Sequence, residues 1–202
     1  MQKGLIFILL LSIAFYGFAQ TISFSGDLKN ASYLQVNQTY QFPQSPQGYG
    51  HIKEFKPNPK RSPFLFKEER NSTWFLIDIP FDGLFTFEIS PSNIRDDYDW
   101  MLFLYSPGLE KAILNDTAWP LRSNNARNNK ALFSKTGLSA EGKKFHEKPG
   151  VGNNYSLPIE PKAGDKLALI IDNIYDGGGG FDLMLNLKAK PGEKLVLLRG
   201  NI

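Results

Sequence analysis

Cysteine is missing altogether, and histidine nearly so, with only His51 and His146. The first absence excludes disulfides, thiolate metal sites, a cysteine nucleophile and a lipid-modified N-terminal Cys. The second excludes a metal centre built from several histidines. An excess of one charge is lacking too. Lys and Arg number 23 against 20 Asp and Glu, and the net +3 is spread along the chain, which leaves no electrostatic footprint for nucleic acid. No long, capped segment shows a 3.6-residue apolar period. What is present is hydrophobic mass: 42% of residues, with 13% aromatic and 16 Phe. That is enough for the core of one domain.

The first residues read as an address. Lys3 precedes an apolar run from Leu5 to Phe15, too short to cross a bilayer comfortably. Gly17-Phe18-Ala19 then places small residues where signal peptidase cuts. The reading is a signal peptide over 1–19, cleaved after Ala19, with no membrane span once it is removed. The alternative is an uncleaved anchor.

Beyond it the pattern is one of short strands. Residues 20–47 read as an early strand near Thr21–Phe24 followed by a loop. Trp74–Ile79 is a buried-strand run, and Leu84–Ile89 alternates, with Phe85, Phe87 and Ile89 on one face. Pro80-Phe81-Asp82-Gly83 between them has turn chemistry, so the two read as a hairpin. Tyr98–Tyr105 is another strand. The stretch 106–165 reads as a long polar excursion, with a helical turn or two near 108–114, and Ser123–Lys130 is too polar to be placed in the core. Leu167–Ile171 is a strand buried on both faces. Asp172–Gly180 is a glycine-rich hairpin turn leading to an alternating strand from Phe181 to Leu187. Leu195–Leu198 is a last short strand in a tail, 189–202. Short strands separated by Gly, Pro and Asn predict an all-β fold, a two-sheet antiparallel, jelly-roll-like β-sandwich with one long polar loop excursion.

The sharpest chemical cluster is Asp96-Asp97-Tyr98-Asp99. Asp97 and Asp99 are two apart on a strand, so they share a face with Met101 and Phe103. Adjacent carboxylates at the edge of a core are costly unless a cation neutralises them. Calcium suits such a site, since it accepts several oxygens in loose geometry, and Asp172, Asp176 and Asn71 complete the expected shell. The competing reading pairs the acids with Arg70 or Arg95. The spacing is not that of an EF-hand, and Gly177–Gly180 lacks the Lys-Ser/Thr of a phosphate loop. Trp119, Tyr155 and Tyr175 in loops are candidates for stacking on sugar rings, or else plug the rim of the sandwich. His51 and His146 lie in no catalytic motif and read as surface residues. A carboxylate pair for glycoside hydrolysis cannot be located from sequence.

Several stretches, in order, resemble a β-sandwich domain of secreted and envelope proteins of Bacteroidota-type bacteria, similar to the pre-peptidase C-terminal domain and often found before OmpA-type domains. They are Glu69-Arg70-Asn71-Ser72-Thr73-Trp74-Phe75, then Asp96–Phe103, Arg122-Ser123-Asn124 with Arg127-Asn128, Thr136–Ser139, Asn153–Ser156, and Ile171-Asp172-Asn173 ahead of Gly180-Phe181. The resemblance covers about 48–188. Arg70 stands where the family usually has His, and a Cys frequent after the acidic strand is missing.

The resemblance implies a stand-alone exported module, periplasmic, outer-envelope or secreted. Domains of this type are generally non-catalytic; some bind calcium, and some assist binding to polymers. The expected function is a non-catalytic envelope module that binds another envelope protein or glycan, with calcium as the cofactor. The alternatives are a carbohydrate-binding or adhesin module using the loop aromatics and, third, a small carboxylate-dependent hydrolase.

Overall fold

The structure, a computed structural model, describes residues 22–190. The signal peptide read over 1–19 and the strand read at Leu195–Leu198 lie outside the described residues.

Among the described residues, eleven strands form two sheets. The first sheet contains β1 (Ser32–Leu34), β3 (Asn71–Asp78), β10 (Lys166–Asn173), β5 (Tyr98–Leu104), β6 (Arg122–Ala126) and β8 (His146–Gly150), neighbours in that order. The second contains β2 (Gln38–Phe42), β11 (Phe181–Ala189), β4 (Gly83–Pro91), β7 (Thr136–Leu138) and β9 (Tyr155–Ser156). The two-sheet β-sandwich expected from the sequence is what forms. The sheets are mixed rather than purely antiparallel: β1 with β3, β6 with β8 and β7 with β9 pair in parallel.

Both expected hairpins are corrected. β3 and β4 lie in different sheets, and so do β10 and β11. Burial gives the reason. β3 and β10 are buried along almost their whole length, whereas β4 and β11 alternate between buried and open positions. A strand apolar on both faces needs cover on both, and only the six-stranded sheet provides it. The Pro80–Gly83 turn therefore crosses between layers instead of reversing within one. Asp82 bonds across that crossing rather than locally, accepting from the Ala163 amide at 2.8 Å and the Lys162 ammonium at 2.7 Å. Likewise, the glycine run arches between the sheets. A Cβ on Gly178 would lie 2.2 Å from the Asn173 amide nitrogen, so that glycine allows the close approach.

The early strand read at Thr21–Phe24 does not form at its described residues. Instead, 20–47 supplies β1 to one sheet and β2 to the other. The polar excursion is also corrected, since it contains the short helix α1 (Leu109–Leu114), as expected, and also β6, β7, β8 and β9. Within it, Ser123, Asn124 and Asn125 are buried, although their polarity argues for solvent. Hydrogen bonds to the chain make burial tolerable: the Asn124 amide donates to Asn153 O at 3.0 Å, and the Asn125 amide to Pro63 O at 3.1 Å.

Two apolar clusters result. The first fills the space between the sheets with Phe75, Phe85, Phe87, Trp100, Leu169 and Phe181 among others. The second lies on the outer face of the six-stranded sheet. There Trp74, Met101, Phe103 and Ile170 are covered by Phe55, Leu65 and Phe66 of the 43–70 loop and by α1. This second layer makes one end of the outer face a pocket rather than open sheet.

Candidate binding pocket on the outer face of the six-stranded sheet

Strand alternation decides which side chains reach this face. Met101 and Phe103 belong to the outer layer, while Tyr98, Trp100 and Leu102 belong to the inner core. Asp97 and Asp99 therefore point outward with Met101, as the sequence implied. Asp172 is the register partner of Asp99 across the β10–β5 pair, so the two carboxyls stand side by side.

These three acids line a pocket of about 330 Å3. Asn125 of β6 lies beside them. Leu65, Phe66, Lys67 and Glu68 of the covering loop form further wall, with Arg70, Arg127, Pro149 and Gly150 at the margins. Asp97 and Asp172 are buried and Asp99 is partly so.

The acids are held largely by backbone. One oxygen of Asp97 accepts the Asn128 amide at 2.9 Å. One oxygen of Asp172 accepts the Arg70 and Asn71 amides at 2.9 and 2.8 Å. Asp99 has no hydrogen-bond partner among the described residues, and none of the three acids joins an ion pair there. The competing pairing with Arg70 or Arg95 gives no ion pair among the described residues, although the Arg70 charge pulls against the rise of Asp99 and Asp172. Arg70 instead faces Glu68 at 3.6 Å. Arg95 donates its backbone N–H to Asn93, 3.0 Å away.

Burial raises all three acids. Asp97 is pushed up to about 6 by burial, against the pull of the Asn128 amide and Arg127. Burial lifts Asp172 to about 6 as well, against the Arg70 and Asn71 amides. Asp99 is held well above the usual carboxylate range by burial, then by the charges of Asp97 and Asp172.

The five residues read as a calcium shell divide into two groups. Asp97, Asp99 and Asp172 share the outer-face pocket. Asn71 alternates with Ser72 and Trp74 on β3 and lies on the other side. Its amide nitrogen donates to Asn173 O at 3.1 Å, Tyr175 O at 3.3 Å and Asp176 Oδ1 at 3.0 Å. Its carbonyl accepts the Gly48 amide at 3.1 Å. Asn71 and Asp176 thus clasp the base of the glycine arch. Among the described residues no group of three or more His, Cys, Asp or Glu converges closely enough to hold a metal ion. The residues present do not fit a preformed calcium shell.

The three aromatic candidates are also dispersed. Trp119 is 56% exposed and sits edge-on to His146, ring centres 5.6 Å apart. Tyr155, on β9 of the other sheet, donates its hydroxyl to Glu88 Oε2 at 2.8 Å. Tyr175 is exposed in the arch after β10.

Sequence reasoning missed Asn125, because a run of polar residues carries no burial signal. It also missed a contact of 3.2 Å between Ser123 Oγ and His146 Nδ1. Ser123 is fully buried, which puts its hydroxyl out of a substrate's reach. His51, expected at the surface, is exposed, with Nδ1 3.0 Å from buried Asp27.

A larger hollow of about 1320 Å3 lies at the open edge between β1 and β2. Its one acid, Asp78, is paired with Lys166 at 2.7 Å. The concentration of unpaired carboxyls marks the smaller pocket as the candidate site.

No family model and no curated protein matches the sequence. Among solved structures, the chain is similar to the pre-peptidase C-terminal domain of a collagenase from Bacillus anthracis, at 12% identity and a TM-score of 0.37 over 78% of this chain and 94% of that one. It is also similar to CorA of Methylomicrobium album BG8, described as a surface-associated copper-binding protein important in copper acquisition. That match has 10% identity and a TM-score of 0.37 over 78% of this chain and 98% of the other. Likeness at this level transfers neither ligand nor activity.

Proposed function

We propose that the protein is a non-catalytic β-sandwich module, exported to the bacterial envelope, that binds another envelope component through the outer-face pocket. Export rests on the leader pattern of Lys3, the Leu5–Phe15 run and Ala19. The observation that carries the binding reading is the acceptor-rich wall formed by Asp97, Asp99, Asp172 and Asn125, whose acids join no ion pair among the described residues. Such a wall costs stability in the free protein and gains a partner when a complementary group arrives.

The non-catalytic part rests on placement. The three acids project from neighbouring strands of one sheet, so they share a wall instead of flanking a bond to be cleaved. Glu68, the acid contributed by the covering loop, is engaged by Lys53 and Arg70, each at 3.6 Å.

Photo-crosslinking tests the reading. A crosslinking amino acid at Leu65, on the pocket wall, should give a discrete adduct in the envelope fraction. The same group at Leu114, exposed on α1, should not. Equal adducts from both positions, or none from either, would remove the pocket as the recognition site.

A further inference from the structure

We infer that the pocket takes a guanidinium group carried on an aliphatic stem, an inference that rests on the binding reading above and names its ligand class. The pocket wall carries unused acceptors. Asp97 and Asp172 each spend one oxygen on backbone amides, and each keeps the other open. Both oxygens of Asp99 are open. The Oδ1 of Asn125, in a residue only 5% exposed, is buried without a partner while its amide group is committed to Pro63. An orphaned buried acceptor beside three carboxyls calls for hydrogen-bond donors and positive charge together.

The chain's own cations do not answer that demand. Lys67 donates to the carbonyls of Arg61 and Pro59. Arg61 is held by Asp116 and by the carbonyls of Phe66 and Lys67. Arg70 faces Glu68, and Arg127 is exposed at the margin.

Shape and number narrow the class. A bare metal ion needs converging ligands at about 2.3–2.6 Å, which this wall does not present. A volume of about 330 Å3 suits a side-chain-sized group, at the low end of ligand pockets. Guanidinium offers five N–H donors in a plane against three for an ammonium. The open oxygens lie side by side on adjacent strands, and a planar fork can bridge them where a point charge cannot. Leu65, Phe66 and Pro149 provide apolar wall for a stem.

The test is a titration of the purified protein, followed by calorimetry and amide NMR, at pH 7.5. The probes are N-acetyl-arginine methylamide, the matching lysine compound, free arginine, an Ala-Ala-Arg-Ala-Ala peptide and Ca2+. The capped arginine should bind saturably, move amides around Asp97–Asp99, Asn125 and Asp172, and exceed the lysine compound in affinity. Asp99→Asn should weaken it about tenfold or more, since a lost charged hydrogen bond costs about 1.5–3 kcal/mol. The Asp99 side chain makes no hydrogen bond among the described residues, so this variant should stay folded, and Asp97→Asn serves as a second. Tighter binding of the peptide than of free arginine would assign the group to a protein partner, and the reverse to a small molecule. No saturable binding of any guanidinium, equal affinity for lysine, or displacement by Ca2+ would overturn the inference. A Leu65 adduct persisting in those cases would leave the binding reading standing.

Discussion

The two faces of the six-stranded sheet solve the same burial problem differently. The inner face is sealed by a second sheet, and its polar atoms are matched. Trp100 Nε1, for example, donates to Thr136 Oγ1 at 2.9 Å, and Thr136 passes a bond on to Asn154 O at 2.8 Å. The outer face is covered by a loop and one short helix, and among the described residues Asp97, Asp99 and Asp172 on it join no ion pair. Glu54, Glu69, Asp97 and Asp172 are buried in this outer layer. Trp74 Nε1 and Glu54 Oε2 are buried there without a partner. The inner face is built for stability; the outer one holds unsatisfied chemistry, which is what a recognition surface requires.

The largest effect should come from breaking the inner face. Trp100 is fully buried, meets Phe87 edge-on at 4.8 Å and completes the Thr136 link. Trp100→Ala leaves a large cavity and an unsatisfied hydroxyl network, so stability should fall by about 3–5 kcal/mol. Urea denaturation would show it, and a loss under about 1 kcal/mol would mean that this core is not the principal source of stability.

The outer layer should respond to pH where the inner core does not. Glu69 is pushed up to about 9, by burial first and then by the charges of Glu54 and Asp172, against the Phe55 amide and the Ser72 hydroxyl. Glu54 is raised to about 7 by burial, with Asp27 and Glu110 adding to it and the Leu28 amide opposing. Folded pKa values above the unfolded 4.5 mean that the native state binds protons more readily. The contribution is therefore fully present below about pH 4.5 and is lost as pH rises through 7 to 9. Stability should drop by roughly several kcal/mol between pH 5 and 9. Glu69→Gln should flatten that slope while keeping a carbonyl acceptor for Phe55. A pH-independent denaturation midpoint over this range would contradict the assignment.

Alternation made the apolar strands readable, and the outward direction of Asp97 and Asp99 followed from the same period. Pairing was not readable, because a turn such as Pro80–Gly83 is chemically the same whether it reverses within a sheet or crosses between two. Nor was β6, since Arg122-Ser123-Asn124-Asn125 carries no apolar signal and its burial depends on partners at Asn153 and Pro63, far along the chain. The covering loop was hidden for a related reason. Phe55 is separated from Leu65 and Phe66 by prolines and charges, so the three form a layer only once the sheet exists. Asp172 could be foreseen as acidic, but its position opposite Asp99 is a consequence of register.

A smaller effect separates the pocket from mere surface acidity. The Asp99 side chain has no hydrogen bond to lose among the described residues, and its ionisation is opposed first by burial and then by the charges of Asp97 and Asp172. Asp99→Asn should therefore raise the Tm of the free protein at pH 8, with the gain vanishing below pH 4, where the carboxyl is neutral in both states. A gain in Tm together with weaker ligand binding is the signature of a residue kept for recognition. Destabilisation by Asp99→Asn would instead make it a structural acid.

The smallest stability change is expected at Trp119, and it tests whether the comparison has put recognition in the right place. The ring is mostly exposed against His146, which in turn lies 5.7 Å from Phe64. Removing it should cost less than about 0.5 kcal/mol, so any loss of function in Trp119→Ala reports on binding rather than folding. These rings form an aromatic patch beside β8 on the same outer face, and such a patch suits the flat side of a sugar. If glycan-array binding vanishes in Trp119→Ala and survives Asp99→Asn, recognition belongs to the rings and the acids are a cost of the fold. If Trp119→Ala is silent while Asp99→Asn abolishes binding, the unpaired carboxyls are the feature that selects the partner.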